Sequence, residues 1–241
     1  MTKKALFYLG FFAVLTAVFL FVVFKDYDFS KTKLAVISNV PEFSFVNQDG
    51  KTISEDDVED KVFVAEYFFT TCRGICPKMN ANMRRVYNEY KDEKDFIILS
   101  HTCMPETDSV HVLKAYEQTM LGGKLTRSDD GAYTLKAPAD SSKIYQNTNW
   151  QFLTGDKAEL YKMARQGYMI DNGNVDSLQN ISDQFIHTQF FALVDKYRRV
   201  RGIYDGLKED EVQKMIVDIK GLLDEKVKGK RFMNGFSNNP E

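Results

Sequence analysis

The sequence predicts an α/β sandwich, a sheet with parallel strands at its centre and helices over it, carried behind one membrane-spanning helix. Three observations predict it. An uncharged run of twenty residues, Ala5–Phe24, lies near the start of the chain. Two strand-then-helix patterns then follow one another between Val62 and Met120, and a third precedes a hairpin and a final amphipathic helix. Strands alternating with helices are the pattern of a parallel sheet.

The composition narrows the reading further. With 241 residues, 44% hydrophobic and 27% charged, the chain suits one sizeable globular domain and excludes disorder or collagen. Thirty-two Lys plus Arg against 34 Asp plus Glu leave a charge of −2 and no basic run, which argues against a nucleic-acid partner. Three cysteines are too few for a disulfide scaffold. Two of them, Cys72 and Cys76, stand four positions apart, which points to redox or metal chemistry.

Taken in order, Ala5–Phe24 at about 1.5 Å per residue reaches across a hydrocarbon core of roughly 30 Å. Lys3 and Lys4 precede it and Lys25, Asp26 and Asp28 follow, so the positive-inside rule places the N-terminus in the cytoplasm and the rest outside. The run is longer than a signal-peptide core and no small-residue cleavage site follows it, which favours an uncleaved anchor in the inner membrane with the domain in the periplasm or its equivalent. Residues 1–28 thus form the anchor, 29–40 a tether, 41–228 the domain and 229–241 a flexible tail.

Within the domain, Phe43–Val46 alternates and Asp49-Gly50 marks a hairpin turn before Lys51–Ser54. Val62–Phe69 is a buried strand, and Met79, Met83, Val86, Tyr87 and Tyr90 recur at helical spacing. Phe96–Ser100 is a second strand, followed by a helix through Val110, Leu113, Tyr116 and Met120. From 122 to 149 the periodicity fails amid turn residues, which indicates a surface insertion. Trp150–Leu153 is a strand, Asp156–Gln166 a helix closed by Gly167, and Gln189–Asp195 with Val200–Tyr204 a hairpin. Val212, Met215, Ile216, Ile219, Leu222 and Leu223 form the stripe of a last helix. That order describes a thioredoxin-like sandwich with an N-terminal β-hairpin and one insertion.

The segment Thr70–Lys78 carries Cys72, Arg73, Gly74, Ile75, Cys76 and Pro77 where a strand ends and a helix starts. Helix N-terminal N–H groups favour negative charge, so both sulfurs are expected to ionise more readily than a free thiol. Pro77 suits a first helical turn. The pair can close a disulfide or clasp a soft ion. Copper favours thiolate plus imidazole, and only three histidines are available. His111 falls inside a helix and is expected to face solvent. His101 ends the second strand, and His187 lies just before the hairpin strand, where such a fold returns past the cysteine loop.

Phe69-x-x-Cys72-x3-Cys76-Pro77, His187-Thr188 before a strand ending Leu193-Val194-Asp195, and an anchored non-cytosolic domain together resemble the SCO/SenC proteins. These are copper chaperones for assembly of cytochrome c oxidase. Over residues 40–225 the resemblance implies copper held by Cys72, Cys76 and His187, and the copper-bearing oxidase subunit as partner. The family often has an acidic residue between its cysteines, here Arg73, and Asp before its histidine, here Ile186. Both changes remove negative charge, which penalises Cu(II) more than Cu(I) or shifts the balance toward thiol chemistry.

The alternative is a thiol-disulfide oxidoreductase in which one of these cysteines attacks and the other resolves. A distant imidazole discriminates, because exchange does not need one. The Pro-x3-Thr-x2-Cys frame of a peroxiredoxin-like peroxidase is absent. Finally, the loop after the second strand should emerge beside the cysteine loop, which brings Cys103, with His101 or Met104, into view as an auxiliary soft ligand or third redox thiol. The competing reading of Cys103 is a thiol that only packs.

Overall fold

The structure, a computed structural model, describes residues 3–24, 34–129, 131–140, 142–171 and 188–225. It divides into two compact units, residues 1–33 and 34–241. In the first, helix α1 (Lys3–Phe24) is long and apolar enough to cross a membrane, and none of Lys3–Val22 is buried. Its apolar residues occupy every face, as lipid-facing helices require.

In the second unit, strands β1 (Ser38–Asn39), β2 (Ser44–Asn47), β3 (Thr52–Ser54), β4 (Val62–Phe68), β5 (Phe96–Thr102), β8 (Trp150–Thr154), β9 (Phe190–Val194) and β10 (Arg199–Asp205) form one sheet. Their spatial order is β1-β10-β9-β4-β5-β8-β2-β3. The pairs β4–β5 and β5–β8 are parallel and the others antiparallel. The expected hairpin is β2–β3, where Gly50 takes φ 72° and the Asn47 side chain accepts the N–H groups of Asp49 and Lys51. Left-handed φ is what glycine supplies without strain.

The central strands are buried on both faces, and their residues alternate between two cores. Val62, Val64 and Phe68 meet helices α2 (Cys76–Tyr90), α3 (Val110–Gly122) and α5 (Glu209–Asp224). Phe63, Ala65 and Tyr67 meet Leu160, Tyr161, Met163 and Tyr168 on the other side. Those residues belong to α4 (Lys157–Lys162), to the π turn Met163–Gly167 that follows it, and to Tyr168, which caps that turn. The single expected helix over 156–166 is therefore a short helix followed by a widened turn.

Two further stretches differ from expectation. The segment read as an aperiodic insertion contains an antiparallel hairpin, β6 (Lys124–Arg127) with β7 (Tyr133–Lys136). The Arg85 guanidinium of α2 lies 4.1 Å from the Tyr133 ring centre, and Leu135 packs on the α2 core. Residues 34–40, read as the end of the tether, join the domain: Arg201 donates two hydrogen bonds to the Leu34 carbonyl, and Ile37 and Val40 pair with the β10 hairpin. Arg201 is itself held by Asp195 at 2.8 Å. Burial alone would push the Asp195 carboxyl up, but Arg199 and Arg201 bring it below its ordinary value. The expected tail lies outside the described residues.

Candidate metal and thiol site

Strand β4 ends at Phe68 and α2 begins at Cys76, so the cysteine loop lies at the sheet edge where parallel strands open. Pro77 sits in the first turn of α2, where its missing N–H has no helical partner to lose. The β4–Phe69 backbone acts as a hub for all three cysteines. Cys103 N donates to Phe68 O at 2.7 Å and Cys72 N to Phe69 O at 3.1 Å, while the Phe69 N–H donates to the Cys76 sulfur. All three are free thiols.

Together Cys72, Cys76 and Cys103 line one cavity of about 280 Å³, walled by Tyr67, Phe68, Phe69 and Ile75 and by Arg73, Gly74 and Thr188. Cys72 is half-buried, Cys76 is 5% exposed and Cys103 2%. The loop after β5 therefore emerges beside the cysteine loop. A larger cavity of about 560 Å³, between the β2–β3 hairpin and α4, is lined by neither cysteine nor histidine among the described residues.

One buried carboxylate ties the two cysteine-bearing loops together. Asp108 accepts from Thr70 Oγ1 at 2.6 Å and Thr70 N at 3.2 Å, and from Thr102 Oγ1 at 2.5 Å. Thr102 Oγ1 in turn accepts the Met104 N–H. Charge-assisted hydrogen bonds of this kind are short and strong, and here they fix the start of the cysteine loop against the strand end that precedes Cys103.

The expectation that both sulfurs ionise easily fails for Cys76. Burial pushes its thiol up, and the neighbouring Cys72 adds to the effect; the Phe69 N–H only partly offsets them. The helix N-terminus acts on a group already withdrawn from water, and desolvation wins. Cys103 is likewise raised by burial, then by the negative ends of Cys76, Asp108 and Cys72.

The histidines separate. His111 is exposed on α3. His101 lies within β5, fully buried, its ring stacked on Tyr67 at 5.1 Å and edge-on to Phe45 and Tyr168 at 5.4 Å. It does not line the cavity, and burial lowers it to about 4, so it stays a neutral packing group at physiological pH. His187 lies outside the described residues. Among the described residues no group of three His, Cys, Asp or Glu is placed to hold a metal.

Glu66 is a buried group that the sequence reading passed over, although it is the one charge in the apolar run Val62–Phe69. It is 1% exposed; Oε1 accepts from Ser100 Oγ at 2.6 Å, and Ser100 Oγ accepts from Trp150 Nε1 at 2.8 Å. Oε2 has no hydrogen-bond partner. Burial raises its carboxyl to about 8, with the Ser100 hydrogen bond acting the other way.

A family model described as SCO1/SenC matches residues 33–125 and 130–224. An SCO1 protein homolog of Bacillus subtilis (strain 168) is 29% identical over 183 residues, covering 75% of this chain and 81% of that one. The structure of BsSco, described as a member of the Sco family of cytochrome c oxidase assembly proteins with a disulfide switch, aligns with TM-score 0.58 at 26% identity. It covers 81% of this chain and 99% of that one. Yeast Sco1 with copper bound aligns with TM-score 0.50 at 21% identity, covering 76% and 90%, a likeness of fold.

Proposed function

The chain belongs to the SCO1/SenC family, and from that premise we propose that it is a membrane-anchored copper-binding factor that hands copper to the binuclear copper site of cytochrome c oxidase. In this reading Cys72 and Cys76 hold the ion as cargo, His187 completes the set, and Cys103 is an auxiliary soft donor. The observation that carries it is the cavity: two free thiols at a strand-to-helix junction face a wall that includes Thr188, covalently next to His187. Soft thiolates with one imidazole suit copper better than hard ions. His101 is left out of the ligand set because its ring is taken up by Phe45, Tyr67 and Tyr168.

The test is copper stoichiometry on the fragment beginning at Lys33, with absorption and EPR spectra. One copper per chain is expected. His187→Ala should weaken binding by about ten- to a hundredfold or more, since even outer-shell losses reach that range, while leaving the thermal midpoint in place. An unchanged affinity removes His187 from the site.

The anchor supports a single-pass topology with the domain on the extracytoplasmic face. In spheroplasts, externally added protease should remove the domain without lysis; protection until lysis would show the reverse orientation.

A second reading, thiol-disulfide exchange with an extracytoplasmic partner, is favoured by the closeness of the Cys72 and Cys76 thiols, which line one cavity and of which Cys72 helps push Cys76 up. The disulfide switch named for BsSco agrees with it. The ion site and the exchange site are then the same pair, and the reduction potential of that pair, measured with and without copper, separates the two uses.

A further inference from the structure

The cavity holds one thiol more than either reading requires. Cys103 sits on its wall at the end of β5, and its backbone N–H is bound to the same peptide whose N–H donates to the Cys76 sulfur. The hydroxyl of Tyr161 holds the Cys103 carbonyl at 3.0 Å from below, and Asp108 locks the neighbouring strand end to Thr70. Cys103 is thus fixed on the wall it shares with Cys76, the deeper member of the pair. Exposure falls in the order Cys72, Cys76, Cys103, from the mouth inward.

We propose that Cys103 is an internal exchange partner of Cys76, so that the oxidised pocket exists as two disulfide isomers, Cys72–Cys76 and Cys76–Cys103. It rests on the reading of Cys72 and Cys76 as one functional pair. The Cys103 sulfur attacks the Cys76 sulfur as its thiol gives up a proton, the Cys72–Cys76 bond breaks, and that bond's electron pair leaves on Cys72, which takes up the proton. No net oxidation occurs in this step. The starting disulfide is formed from the dithiol by a small-molecule or protein disulfide, which is reduced to two thiols. The isomerisation returns Cys72 to the mouth of the cavity as a free thiol while the chain stays oxidised, and that thiol is the one a partner can reach. A pocket with only the pair offers no such state: its mouth cysteine is free only when both are reduced.

The experiment uses the full chain in detergent, stripped of metal with a chelator, oxidised with glutathione disulfide, alkylated and mapped by mass spectrometry. In Cys72→Ser the majority of monomers should carry the Cys76–Cys103 bridge; monomers in which Cys76 and Cys103 are both alkylated or glutathionylated overturn the proposal. In wild type the oxidised monomer should include a population with Cys72 alkylated and Cys76 bridged to Cys103. Its complete absence overturns the proposal even where Cys72→Ser does not fold. Cys103→Ser should still form Cys72–Cys76; loss of that bridge would instead sink the pair itself. Because metal is absent throughout, failure of copper binding leaves these outcomes readable.

Discussion

Cys76→Ser is expected to weaken copper retention severely, lowering Cu(I) affinity by well over the roughly ten- to hundredfold typical of losing an outer-shell partner. A serine hydroxyl is a hard donor that stays protonated, whereas the soft ion selects thiolate. Cys76 begins α2 at the bottom of the loop, so its position is set by a fifteen-residue helix rather than by the loop. Cys103, which lines the same cavity, is the remaining thiol among the described residues of its wall beside Cys72. The residual affinity of Cys76→Ser should therefore fall further in the double variant with Cys103→Ser. Competition against a chromophoric Cu(I) chelator measures both steps, and a thermal midpoint within a few degrees of wild type separates ligand loss from unfolding. Retention of copper at wild-type affinity in Cys76→Ser would end the proposed ligand assignment.

Glu66→Gln is expected to stabilise the domain above neutral pH and to flatten its pH profile. In the folded state the carboxyl sits near 8 against an ordinary 4.5, because burial disfavours its charge. Between those values the folded chain holds a proton that the unfolded chain has released, so stability falls as pH rises, by about 1.4 kcal/mol per pH unit. Below 4.5 there is no penalty; above 8 the full cost, a few kcal/mol, is present. Glutamine keeps an acceptor for the Ser100 hydroxyl and cannot ionise. His101 works with the opposite sign: buried neutral at about 4 against 6.5, it costs stability as pH falls through that interval. The two slopes oppose each other from about 4.5 to 6.5, and of the two only that of Glu66 continues above, to about 8. Denaturant midpoints from pH 5 to 9 should converge for wild type and Glu66→Gln at the acid end and diverge at the alkaline end. Parallel curves would remove Glu66 as the source.

The elements legible in the sequence were those whose burial pattern is local. Val62–Phe69, the stripe of Met79, Met83, Val86 and Tyr87, and Asp49-Gly50 each announce their structure within a few residues. The β6–β7 hairpin was not legible because Lys124–Arg127 and Tyr133–Lys136 are four residues each with none fully buried, so its reason to form lies in Arg85 and the α2 surface under β7 rather than in its own composition. The approach of Cys103 to Cys72 and Cys76 followed from strand order alone. Its fixing by Asp108 did not, since Asp108-Ser109 ahead of a helix reads as an ordinary helix start. Cys76 misled for a related reason: helix position is visible in the sequence, and depth in the core is not.

The sheet order has a consequence for how the cavity comes into being. Strands β4, β5 and β8 pair in parallel through connections completed early in the chain, whereas the other side of β4 waits for β9, with Phe63 opposite Val194. Synthesis runs from the N-terminus, and long-range pairing bears its loop-closure cost before any contact compensates it. The hairpin β9–β10, which brings Thr188 to the cavity wall, is thus among the last parts of the domain to be made. The wall that faces the three thiols is therefore complete only when β4 has paired with a strand more than a hundred residues further along the chain.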